Sequence, residues 1–121
     1  MRSVLVVLTL ALAVQAPCVA SDKDGGYAIY GAATCAEFLR GVSSPNSSRA
    51  VSNLAWMGGY VTAYNLRMRN TYDMLGSTDL EGAELWMNKY CNEHPLDNMA
   101  VGMQHLMIEL QPKAVTQEPR K

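Results

Sequence analysis

The sequence predicts an all-α fold, a small four-helix domain with one disulfide, preceded by a cleaved signal peptide. Three observations carry this. Apolar residues recur at three- and four-residue intervals, and no strand-length run alternates between apolar and polar. Two Thr-x-x-Glu segments, Thr34 to Glu37 and Thr78 to Glu81, have the spacing of capping boxes that open helices. Two cysteines, Cys35 and Cys91, remain after the leader is removed, the first beside one box and the second on the helix that the other box starts.

The leader comes first. Met1-Arg2-Ser3 carries one positive charge, Val4 to Val14 is nearly all apolar, and Cys18-Val19-Ala20 ends on a small residue, which reads as a secretory signal peptide (1–20) cut after Ala20. Its apolar run is shorter than the about 20 residues a bilayer span needs. Gln15-Ala16-Pro17 before Cys18 lacks the Leu-small-small pattern of lipoprotein signals, so the expectation is a periplasmic protein with no membrane attachment after cleavage. In such an oxidising compartment a lone pair of cysteines, with no Cys-x-x-Cys and no histidine pattern nearby, reads as a disulfide.

The 121 residues suffice for one small domain. With 49% hydrophobic and 17% charged residues the chain is globular, not disordered. A formal net charge of -1 gives no basic excess that would draw nucleic acid or an anionic membrane. Acid reverses the sign, because carboxylates are neutralised while His94, His105 and the lysines and arginines carry charge.

Residues 21–33, with Gly25-Gly26 and Gly31, read as a flexible lead to a helical domain at 34–111. The first helix carries Cys35, Phe38 and Leu39 on one face and ends at Arg40-Gly41. Gly41 to Ser48 is turn-forming. Asn46-Ser47-Ser48 within it fits a glycosylation sequon, a short motif that also arises by chance. Arg49 to Asn70 reads as a second helix, with Val51, Leu54, Ala55, Gly58 and Thr62 as its apolar stripe, flanked by Trp56, Tyr60, Ala63 and Tyr64. Gly58-Gly59 costs about 1 kcal/mol per glycine inside a helix, so close approach of another helix or a kink is expected there. Leu80, Ala83, Met87, Tyr90 and Cys91 define the third helix, stopped by Pro95. Pro95 also suits the first turn of the fourth, whose stripe is Leu96, Met99, Ala100, Met103, Leu106, Met107 and Leu110. The segment 112–121 reads as a mobile tail.

No catalytic pattern is present: no nucleophile turn, no phosphate loop, no carboxylate pair placed for acid–base work. His94 and His105 lack metal-ligand spacing. The expectation is a non-enzyme without cofactor or metal. Met99, Met103 and Met107 share one helix face, where methionine serves as core filler or as an adaptable interface.

Thr34-Cys35-Ala36-Glu37-Phe38-Leu39 with Tyr90-Cys91-Asn92-Glu93-His94-Pro95 resembles the HdeA/HdeB family of periplasmic acid-stress chaperones. The resemblance implies a helical domain whose carboxylates hold it together near neutrality. In acid it loosens, or leaves a homodimer, and binds unfolded client proteins through the apolar faces of Trp56, Tyr60, Trp86, Met99, Met103 and Met107. The Cys35–Cys91 bond limits the opening. Ala55-Trp56-Met57-Gly58-Gly59-Tyr60 departs from that family and looks more like a segment of the Rap/Tai type VI secretion immunity proteins. That resemblance implies a cognate toxin as partner and no pH switch.

Overall fold

The computed structural model describes residues 21–119, so the expected signal peptide and Cys18 lie outside the described residues. Four helices follow in order: α1 (Cys35–Val42), α2 (Ser48–Arg67), α3 (Leu80–Glu93) and α4 (Met99–Leu110), with a 3₁₀ turn at Gln111–Lys113. Among the described residues there is no strand, only two isolated antiparallel bridges, Thr34 with Asn98 and Asp73 with Val115.

Thr34 starts α1 as a full capping box. Its hydroxyl accepts from the Glu37 backbone N–H at 3.2 Å, and its own backbone N–H donates to the Glu37 carboxylate at 3.0 Å. These bonds satisfy donors that a helix start leaves without partners. The bond from the Thr34 backbone N–H, followed by that from its hydroxyl, holds the Glu37 carboxyl below its ordinary 4.5. A lowered folded value means that Glu37 contributes stability above the ordinary carboxyl range and loses it as pH falls through the folded value. Thr34→Ala is therefore expected to cost about 1 kcal/mol in urea unfolding at neutral pH. Glu37→Gln is expected to flatten the fall of stability with pH below 4.5, measured by the same method across pH.

The helix boundaries correct the sequence reading in three places. Gly41 does not end α1; it is buried within it, and a Cβ there would lie 2.8 Å from Asn53 Nδ2 on α2, so the glycine serves helix contact. Asp79, not Thr78, caps α3, accepting from the Gly82 N–H at 2.8 Å. Pro95 and Leu96 lie in a turn before α4, whose cap is Asn98, and Leu96 is 99% exposed where a place in the apolar stripe was expected.

A larger correction concerns α2. The buried residues are Ala50, Asn53, Met57 and Val61, while Val51, Ala55 and Thr62 of the expected stripe face outward. Both series recur at helical spacing, so periodicity alone did not choose between them. α3 is the centre of the domain, packing against α1, α2 and α4. Cys35 and Cys91 are both fully buried and bonded, with Cα atoms 4.9 Å apart, which ties the start of α1 to the end of α3. α4 is apolar over most of its circumference: Met99, Ala100, Gly102, Met103, Leu106 and Met107 are buried. It approaches α3 closely because Gly102 faces Met87 and Tyr90; a Cβ there would lie 2.6 Å from the Met87 sulfur.

Both ends of the described chain make hydrogen bonds to the helical domain. The lead crosses two helices, with the Trp56 indole donating to the Tyr30 carbonyl at 2.7 Å and the Gln104 amide donating to the Tyr27 hydroxyl. Val115 exchanges backbone hydrogen bonds with Asp73, so the expected tail is docked through that residue. Gly76, with φ of 65°, permits this, since a Cβ there would lie 2.5 Å from the Lys113 carbonyl oxygen.

Candidate protein-binding site

The six residues expected to meet other proteins fall into two environments. Met99, Met103 and Met107 are fully buried, within a core that also contains Met57, Met74 and Met87. Trp56, Tyr60 and Trp86 are half-buried and pack against the edge of that core. The structure does not bring the six onto one surface of the folded domain.

The aromatic residues form two ladders, each built on four-residue helical steps that place side chains one above another. On α2, Trp56 and Tyr60 have ring centroids 5.4 Å apart, and Tyr60 and Tyr64 stack at 5.8 Å. Burial, with Tyr27 and Tyr64 nearby, pushes the Tyr60 phenol up to about 12. On α3, Trp86 stacks on Tyr90 at 5.3 Å and Tyr90 on His94 at 4.4 Å, while His105 of α4 meets the Tyr90 ring at 5.5 Å. Burial and then the Asp97 carboxylate, which accepts from the Tyr90 hydroxyl at 2.6 Å, push that phenol up to about 12 as well. The sequence reading did not include Tyr64, His94 or His105 in a site, although the spacing Trp-x-x-x-Tyr-x-x-x-Tyr/His marks both ladders.

Carboxylates accept hydrogen bonds at several places in the domain, whereas α2 is capped by the Ser47 hydroxyl and α4 by the Asn98 amide oxygen. Asp22 accepts from the Gly26 N–H at 2.8 Å in the lead, Glu37 caps α1, Asp73 accepts from the Leu75 N–H at 3.1 Å between α2 and α3, and Asp79 caps α3. Asp97 joins the α3–α4 turn to Tyr90, and Glu109 of α4 accepts from the Trp86 indole at 3.0 Å. A charged acceptor makes such bonds roughly twice as strong as a neutral one.

A groove of about 240 Å³ lies between the α1–α2 turn, α2 and α3, lined by Val42, Pro45, Val51, Leu54 and Leu85 with Glu84 at its edge. Among the described residues no group of three histidine, cysteine or acidic side chains is placed to hold a metal ion, and no helix is long and apolar enough to cross a membrane. The chain matches no family model, no curated protein and no solved structure in comparisons with each.

Proposed function

We propose that this is an exported, non-enzymatic protein that binds unfolding client proteins in acid, as its resemblance to the HdeA/HdeB chaperones implies. The observation that carries the reading is the Glu37 carboxylate that closes the capping box of α1, held below its ordinary value, beside a core rich in methionine. Acid removes the stability that the lowered Glu37 carboxyl contributes at the start of α1. The methionine face of α4 and the faces of Trp56, Tyr60 and Trp86 then become available, and methionine adapts to irregular apolar surfaces. Throughout, Cys35–Cys91 holds α1 to α3, which keeps the opened form from becoming a free chain. A buried disulfide also suits an oxidising compartment such as the periplasm.

The test is aggregation of an unrelated protein taken to pH near 2 and returned to neutrality, measured by light scattering with and without an equimolar amount of the chain from Ser21 onward. Suppression in the acid arm, with none in a neutral control, is the expected result. Trp56→Ser with Trp86→Ser is expected to remove roughly half of that protection, since a few aromatic anchors carry most of the energy of a contact. Absence of protection at any pH would overturn the reading and transfer the assignment to a single dedicated partner, as the Rap/Tai resemblance implies.

A further inference from the structure

We propose that the first half of α2, residues 48–57, is a flap that lifts from α1 and α3 about a hinge at Gly58-Gly59 while the disulfide-held remainder stays folded. The device stands apart from the acid-dependent reading: it works near neutral pH and needs no client.

The underside of this segment is weakly held. Ala50, Asn53 and Met57 are buried, and Met57 alone among them is a large apolar side chain. By contrast, α4 buries Met99, Met103, Leu106 and Met107. Asn53 is 6% exposed, and its amide nitrogen, set against Gly41 of α1, has no hydrogen-bond partner among the described residues. A buried donor without an acceptor costs free energy that water restores, so the closed flap carries a penalty that lifting removes. Clefts flank the segment on both sides. One is the groove of about 240 Å³ against α3, and the other, of about 420 Å³, lies against the start of α1 and is lined by Glu37, Ser48, Arg49, Ser52 and Asn53. Sparse apolar contact of this kind is what local opening requires.

The glycine pair sits where the segment ends. A Cβ at Gly59 would meet nothing within 4 Å, and one at Gly58 would make ordinary contact with the end of Leu80 at 3.4 Å. The closed domain therefore has room for alanine at both, although each glycine weakens the helix relative to alanine. What the pair supplies is backbone freedom, and sharp kinks in helices occur at such pairs. The Thr62 hydroxyl donates to the Gly58 carbonyl at 2.8 Å, a bond back to the preceding turn that favours bending at the same place. Beyond the hinge α2 is anchored: the Asn65 side chain accepts from the Met74 N–H at 2.8 Å, and Val61 is buried.

The lead is the latch. The Tyr30 carbonyl accepts from the Trp56 indole on the flap at 2.7 Å, and Gly31 lies close to the same ring, where a Cβ would be 3.3 Å from it. The Tyr27 hydroxyl accepts from Gln104, so the lead runs from the flap to α4, which stays in place. Lifting breaks the bond between Tyr30 and Trp56 and joins the two clefts into one opening between α1 and α3, which Cys35–Cys91 keeps together.

The experiment places one new thiol in the chain from Ser21 onward and follows its reaction with a maleimide near neutral pH. Ala50→Cys reports the flap, and Ala83→Cys, on the buried face of α3, reports the rest of the domain. The first is expected to react faster by about tenfold or more. Adding Gly58→Ala with Gly59→Ala is expected to slow it about tenfold, and Trp56→Phe, which keeps a ring but not the indole N–H, to speed it about fivefold. Hydrogen exchange of the parent gives a readout without any substitution, because a lifted segment this short does not hold helix in water. The amides of residues 52–57 are expected to share one protection factor, lower than those of residues 62–67 and of α3. Equal reaction of the two thiols, or a rate at the Ala50→Cys position indifferent to the double alanine change, would overturn the proposal. So would protection that declines gradually toward the start of α2, which marks simple fraying of the helix end.

Discussion

Replacing Cys35 and Cys91 together by serine is expected to lower the stability of the folded domain by about 4 kcal/mol, read from urea unfolding at neutral pH. The bond closes a loop with a sequence separation of 56, and loop-closure entropy removed from the unfolded chain grows with the logarithm of that length. Against the roughly 5–15 kcal/mol typical of a whole domain, this is a large share. The consequence for function is greater than a shift in midpoint. The bond joins the first residue of α1 to the last turn of α3, and α3 is the helix against which α1, α2 and α4 all pack. On the proposed acid opening, the bond keeps α1 on α3 while other contacts loosen; the serine double variant has no such floor. It is expected to unfold fully in acid, by circular dichroism, at a pH where the bonded protein retains helix. A loss below 1 kcal/mol would show that the bond closes a loop already ordered in the unfolded chain.

Some features were legible because they depend on a few neighbouring residues. Thr34 and Glu37 name their partners by spacing, and the structure has both reciprocal bonds. Ala83, Met87, Tyr90 and Cys91 share the buried face of α3, as their three- and four-residue steps require. On α2 the same reasoning failed, because two apolar series occupy different sides of the helix and only the positions of α1 and α3 decide which is covered. Asn53 shows the difficulty: an amide lies on the buried face, against Gly41, while valine lies outside. The contacts made by the two ends were not legible for a related reason. Tyr27, Tyr30 and Val115 are fixed by bonds to residues far away in the chain, Gln104, Trp56 and Asp73, and local composition carries no record of these. The methionine repeat on α4 was legible as a stripe, and its full burial follows from Gly102, which lets α3 approach.

Met103→Ala is expected to destabilise the domain by about 3 kcal/mol, because a fully buried methionine removed from a core leaves both lost apolar contact and a cavity. Met103→Leu keeps nearly the same volume and is expected to cost less than about 1.5 kcal/mol. The pair separates two roles of one side chain. If α4 is the element released in acid, the alanine variant has less stability to lose and opens at a higher pH than the parent, measured by dye binding to exposed apolar surface. The leucine variant opens close to the parental pH but presents a less pliable face, so its protection of aggregating clients falls while its opening does not. Equal protection by parent and leucine variant would mean that the client surface lies on the aromatic ladders alone. Trp56 and Trp86, already half-exposed in the folded protein, would then carry the binding.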